Sequence, residues 1–137
     1  MTDDLITQIL RNTRRIALIG ASANPARPSY GVMQFLLNAG YGVVPVNPGL
    51  AGQTLQGRQV VATLSDIEGD IDMIDIFRRP EHVPAIVDEA LERFPNLQTI
   101  WMQIGVVHEE AGATARASGV NVVMDRCPAI EHPRLIG

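Results

Sequence analysis

Arg27, Arg78, Arg79 and Arg126 each stand just past an apolar run of β type, and the chemistry they share is capture of an anion. A guanidinium presents a planar fork of N–H donors that matches phosphate better than a point charge does. Near the first of them, Gly20 closes the run RRIALIG, and Ser29 and Gly31 open the helical pattern that follows. There the free N–H groups and the positive end of the helix dipole favour a phosphate. The dinucleotide pattern G-x-G-x-x-G is absent. Ala21 and Ser22 follow Gly20, and the next run ends in Asn47-Pro48 where an NAD site has an acid for the ribose hydroxyls. The turn is long and stiffened by Pro25 and Pro28, so it suits a phosphate and is poorly suited to NAD. Two plainer readings compete: Gly20 serving only a tight strand-to-helix turn, and the arginines as solvated loop residues.

Other chemistries are excluded by what is missing. All eleven cationic side chains are arginine. Without lysine there is neither a Schiff base nor a P-loop lysine. A formal charge of −4 argues against nucleic acid as a partner, because counterion release needs a basic surface. His82, His108 and His132 fall in separate segments without metal-ligand spacing and read as surface or capping residues, so no metal is expected. Asp125, Arg126 and Glu131 read as an ion-pair network closing the C-terminus, and Trp101 and Met102 as strand and core. The single cysteine, Cys127, forms no internal disulfide, in keeping with a reducing compartment. It reads as a small buried apolar residue; the rival reading is a reactive thiol beside Arg126.

These residues need elements to position them. Helical spacing predicts a helix over 3–12, and an apolar run predicts a strand over 15–20. A second helix is expected over 29–38, with Ser29 as N-cap, Val32, Phe35 and Leu36 on one face and Gly40 as its stop. The run 42–47 is a strand whose Pro45 should make the ladder irregular, and 48–60 is a loop or small hairpin. A strand over 71–77 precedes a helix over 80–93, in which Val83, Ile86, Val87, Ala90 and Leu91 repeat at helical spacing. A run over 99–104, a helix over 107–118 and a strand over 121–125 complete the pattern, with Pro128 barring direct continuation into a helix and leaving Cys127 in a turn. Alternating strands and helices imply a single three-layer α/β domain of Rossmann-like type, a mostly parallel five-stranded sheet with helices on both faces. In such a sheet ligands bind beyond the carboxyl ends of the strands, the edge that holds the arginines, while the acids of LSDIEGDID fall on the opposite edge. Apolar runs such as IALIGA and YGVVPV are short of the roughly 20 residues of a membrane span. MTDDLITQILRN lacks the basic and apolar regions of a secretory leader, so a cytoplasmic location is expected and no membrane partner.

Taken together, IALIGAS with PARPSYGVMQFLLNAGY, VVPVNPGLAGQTLQG, IDMIDIFRRPE, TIWMQIGV and VVMDRCPAIEHPRL resemble the small bacterial CoA-binding proteins. Their fold is similar to that of the N-terminal CoA-binding domain of the succinyl-CoA synthetase alpha subunit and of related acyl-CoA synthetases. The resemblance covers about residues 10–136, and the order and spacing of all five pieces carry it. It implies coenzyme A or an acyl-CoA as ligand. The turn after the first strand and the next helix would hold CoA phosphates, which here means Gly20, Ala21, Ser22, Arg27, Ser29 and Gly31. Val46, Asn47 and Pro48 would lie along the adenosine, and Phe77, Arg78 and Arg79 with Gln103, Ile104 and Gly105 would line the adenine and pantetheine path. The 3′-phosphate adds charge that several arginines can meet. One departure stands out: NPGLAG has Leu50 near the place where the synthetases offer a lysine. Cys127, if reactive, could form a mixed disulfide with the CoA sulfur. The synthetases keep their phosphorylated histidine in a further domain with no counterpart among these residues, so the expectation is a CoA-binding protein without catalytic activity of its own, a regulatory or carrier module. An NAD(P)-dependent Rossmann enzyme and a ligand-free interaction module are the alternatives.

Overall fold

The computed structural model describes all residues, 1–137. In chain order the elements are α1 (Asp3–Asn12), β1 (Arg15–Ile19), α2 (Pro28–Asn38), β2 (Gly42–Val46), β3 (Thr54–Leu55), β4 (Arg58–Gln59), β5 (Met73–Ile76), α3 (Val83–Arg93), β6 (Thr99–Met102), α4 (Glu109–Ala117), β7 (Asn121–Val123) and α5 (Pro128–Leu135). The main sheet has the order β2-β1-β5-β6-β7 and every pairing in it is parallel. Its central strands are buried along their whole length, as a sheet covered on both faces requires. From β1 the chain moves outward to β2, then returns past β1 to β5, so the strand order reverses between β1 and β5. The crevice of the fold opens above that point.

Side-chain alternation splits the core in two. Ile74, Ile76, Ile100 and Met102 pack beneath α3 and α4 through Val83, Val87, Ala90 and Ala115. Leu18, Met73, Trp101 and Val123 face the other way, beneath α1, α2 and α5, against Ile6, Ile9, Val32 and Leu36. The sheet therefore has helices on both faces, as the alternating pattern predicts.

Several local expectations are corrected. Ser29 is not the N-cap of α2: Arg27 holds that position and Pro28 is the first helical residue, since a fixed φ and a missing N–H fit that place. Ser29 is instead buried in the first turn, and Phe35 is only half-buried while Met33 joins Val32 and Leu36 inside. Pro45 does not disturb the ladder, which runs in unbroken register from Arg15↔Gly42 to Ile19↔Val46. Val61 N donates to the Pro45 carbonyl at 3.1 Å on the outer side, so the absent N–H is one that β1 does not need. Pro80 starts a short 3₁₀ turn before α3. Pro128 does not bar a helix but begins α5, for the same reason as Pro28. The hairpin in 48–60 is present as β3 and β4, turning through Gln56 and Gly57, both at positive φ. Strands end one or two residues sooner than their predicted runs, leaving Gly20, Asn47, Phe77 and Gln103 free for loops at the crevice.

Candidate functional site

The crevice begins at Gly20. Its φ of +89° is open to glycine, and a Cβ built there would lie 2.5 Å from the Phe77 carbonyl oxygen. The loops after β1 and β5 thus touch backbone to backbone. Gly20 N and Ala21 N both donate to the Val46 carbonyl, at 3.1 and 3.3 Å. Asn47 then ties in the loop after β2: its Nδ2 donates to the Ala21 carbonyl at 2.7 Å, and its Oδ1 accepts from Gly49 N at 2.8 Å. The long turn holds its own shape, with Ser22 Oγ accepting from Asn24 N and Asn24 Oδ1 from Ala26 N, both at 3.0 Å.

Two clefts open from this junction. The larger, about 780 Å³, is lined by Gly20, Ala21, Ser22, Arg27, Ser29, Asn47, Phe77, Arg78, Arg79, Gln103, Ile104 and Gly105 among the residues singled out from sequence. The smaller, about 540 Å³, lies on the α3 side of the sheet and takes Val46, Asn47 and Pro48. Gly20, Asn47 and Arg78 belong to both. Gly31 belongs to neither. Two residues beyond buried Ser29 on a helix of 3.6 residues per turn, it points to solvent, with nothing within 4 Å of its absent Cβ. Sequence reading missed Pro28, Val32, Pro80, Val106 and Cys127 in the larger cleft and Thr63, Leu64, Ile86 and Glu89 in the smaller. Of these, sequence reading assigns Val32 and Ile86 only to packing, while Cys127 reads as a buried apolar residue in a turn, with a reactive thiol at the ligand site as the rival reading.

The electrostatic picture is narrower than four arginines. Arg27 and Arg78 are exposed and have no carboxylate partner; Arg79, 84% exposed, lies 4.0 Å from Glu81. Arg126 leaves the group. Its Nη1 donates to Glu131 Oε1 at 2.8 Å, and its carbonyl accepts from Trp101 Nε1 at 2.8 Å. Glu131 Oε2 accepts from Arg134 at 2.8 Å, and Arg134 reaches on to Asp3, joining α5 to α1. Burial would raise the Glu131 carboxyl, but hydrogen bonds from Arg134 and Arg126 outweigh it and hold the carboxyl below its ordinary range. The C-terminal network is therefore real for Arg126 and Glu131. Asp125 lies outside it, its Oδ1 accepting from Gly105 N at 2.7 Å to shape the loop after β6.

Two further groups complete the layer beside the larger cleft. Cys127 is buried at the N-cap of α5. Asp75, which no sequence signal singled out, is fully buried in the middle of β5 with no hydrogen-bond partner for either oxygen, and burial pushes its pKa up to about 8. Of the histidines, His108 caps α4 by accepting from Ala111 N at 3.1 Å, His82 is exposed beside Glu81, and His132 packs edge-on against Phe35 and Tyr41. No helix is long and apolar enough to cross a membrane, and no group of His, Cys, Asp and Glu gathers as metal ligands would.

Known proteins share this fold. The pattern that defines the CoA binding domain family matches residues 14–133. An uncharacterized protein of Bacillus subtilis, YneT, is 37% identical over 127 residues, covering 93% of this chain and 91% of that one. The alpha subunit of an ADP-forming acetate–CoA ligase of Pyrococcus furiosus is 27% identical over 128 residues, 85% of this chain but 28% of that one. Among solved structures, a hypothetical protein from Pyrococcus horikoshii superposes with a TM-score of 0.92 at 35% identity, over 100% of this chain and 94% of that one.

Proposed function

Since the chain belongs to the CoA-binding domain family, we propose that it binds coenzyme A or an acyl-CoA in the cytoplasm, laid across both clefts with its pyrophosphate over Gly20 and Arg78. The observation that carries this reading is the junction itself. Two clefts of unlike lining meet at a backbone turn with no side chain and at an unpaired guanidinium. CoA has that form: a nucleotide at one end, a long chain ending in sulfur at the other, and a doubly charged link between them. The smaller cleft, with Val46, Pro48 and Ile86, suits the adenosine. The larger, running from Ser22 and Arg27 past Phe77 to Gln103, Ile104 and Cys127, suits the chain. Their volumes lie within the range usual for small-molecule sites.

NAD is the poorer fit. Asn47 stands where that cofactor needs an acid, and its side chain is already engaged with Ala21 and Gly49. The acetate–CoA ligase subunit is named for a reaction of CoA, yet this chain corresponds to a minor part of it, so the proposed role is binding and not catalysis. The charged side chains lining the larger cleft are guanidinium groups, which hold anions. Calorimetric titration with CoA, 3′-dephospho-CoA and NAD⁺ tests the reading. CoA should bind tightest, and equal or tighter binding of NAD⁺ overturns it.

A further inference from the structure

Three buried side-chain oxygens lack any hydrogen-bond partner: both carboxylate oxygens of Asp75 and Oε1 of Gln103. Asp75 lies on β5, and Gln103 directly follows the neighbouring strand β6. Asp75 pairs in register with Trp101, and the ladder continues past the end of β6 as Gln103 N donates to the Ile76 carbonyl at 3.3 Å. Met73 and Trp101 both face the α1, α2 and α5 layer, and strict alternation puts Asp75 and Gln103 on that same face. A strand spacing of about 4.8 Å and two residues of rise leave the two about 8 Å apart at Cα, a gap that an aspartate and a glutamine reaching toward each other can span.

All three orphan atoms are acceptors, and acceptors cannot satisfy one another. The missing piece is a donor, and one proton on Asp75 supplies it. We propose that Asp75 is a positioning residue for the larger cleft: its protonated carboxyl donates to Gln103 Oε1 and thereby fixes Gln103 with Nε2 facing the cleft, where it donates to an acceptor on the ligand's chain, such as an amide or thioester carbonyl.

The geometry of Gln103 agrees. Gln103 is 6% exposed as a residue and lines the larger cleft with Phe77 and Cys127. Oε1 is the enclosed end of the amide; Nε2 is not among the enclosed orphan atoms and makes no bond within the protein, so it is the end left to the cleft. No other side chain is hydrogen-bonded to the Asp75 carboxyl. On the same layer, the Tyr41 hydroxyl donates to the Leu10 carbonyl at 2.6 Å, Glu131 is held by Arg126 and Arg134, and His132 packs on Phe35 and Tyr41. Cys127 is a buried free thiol. The charged groups of α1, Asp3, Asp4 and Arg11, are on its exposed side; α2 contributes only Tyr30, whose carbonyl accepts from Gln56. Arg15 at the start of β1 reaches away to the Asp70 carbonyl at 3.1 Å. α3 and α4 pack on the opposite face of the sheet. Burial raises the Asp75 pKa to about 8, so the proton is present at neutral pH and lost in mild alkali.

This inference rests on the proposed function for its ligand, and its test has one arm that needs no ligand. In the free protein, the Gln103 side-chain amide signals in a ¹⁵N NMR spectrum, identified by their loss in Gln103→Met, should shift as pH crosses about 8, and should not shift in Asp75→Asn. Signals that ignore pH in the unaltered protein, or that move equally in Asp75→Asn, overturn the proposal. In the second arm, CoA should bind about fivefold more weakly at about pH 9.5 than at about pH 7, the worth of one hydrogen bond, and Asp75→Asn, whose amide keeps a donor, should not show that added loss. An equal pH response in both proteins also overturns it. CoA binding at no pH would sink the proposed function instead, while the amide titration still decides the Asp75–Gln103 link.

Discussion

Gly20 and Phe77 meet backbone to backbone: a Cβ on Gly20 would sit 2.5 Å from the Phe77 carbonyl oxygen, in a residue already at φ +89°. The turn after β1 and the loop after β5 are thereby locked at the strand reversal. Gly20→Ala should destabilise the protein by ~3 kcal/mol or more, from left-handed backbone strain and the clash together. Gly20→Val should fail to accumulate as folded protein. Thermal melts followed by circular dichroism check both, and they show that loss of CoA binding in either variant reports on the fold before it reports on the ligand.

Asn47 ties the loop after β2 to the Ala21 carbonyl and to Gly49 N. Asn47→Ala should cost about 1–2 kcal/mol in urea denaturation, the net worth of two hydrogen bonds. Amide exchange should rise at Gly49 and Leu50 while β6 and β7 stay protected. Unchanged exchange there would mean that the loop is held by packing alone.

Arg78 lies in both clefts, whereas Arg79 is largely exposed and near Glu81. Arg78→Ala should weaken CoA about tenfold or more, as loss of a charge-assisted hydrogen bond does, and Arg79→Ala should cost less. Titrations at low and high salt should show a smaller salt dependence in Arg78→Ala. CoA should also raise the melting temperature more than 3′-dephospho-CoA does. Equal stabilisation by the two would remove the 3′-phosphate from the arginines.

Stability should respond to pH at two places with opposite signs. The Asp75 pKa is raised from 3.8 to about 8, so its contribution is fully present below 3.8 and is lost as pH rises toward 8. The slope is up to about 1.4 kcal/mol per pH unit for one proton, and Asp75→Asn should flatten it. The Glu131 carboxyl is lowered, so its contribution is present above 4.5 and lost as pH falls through the folded value. Glu131→Gln should flatten that acid limb. Urea denaturation across the pH range separates the two effects.

Cys127 is 7% exposed. A thiol reagent should label it far more slowly in the native protein than in denaturant, and more slowly again with CoA bound. Labelling at the denatured rate in native protein would restore the reading of Cys127 as a reactive thiol.

The sequence by itself determined the alternation of strands and helices, and with it the parallel sheet, both covering layers and the edge where loops gather. Period and propensity are local properties, and residues within one run are enough to read them. Gly20, Asn47, Arg27 and Arg78 could be placed at that edge because each directly follows a strand or begins a helix. What tertiary structure decided is who meets whom. Arg126 follows a strand as Arg78 does, but α5 folds back and Glu131 takes it. Gly31 is next to the right turn and points away, because the angle of a helix residue depends on where the helix starts, and Pro28 moved that start. Pro45 is harmless because its missing N–H lies on the outer edge, a matter of which side of β2 carries β1. Asp75 is hidden most completely. In IDMIDIF it shares a strand face with Met73 and Phe77, and flanking by β1 and β6 beneath a full helical layer strips it of water and leaves Gln103 as its neighbour. Burial and pairing come from residues far apart in the chain, which no reading of one segment can contain.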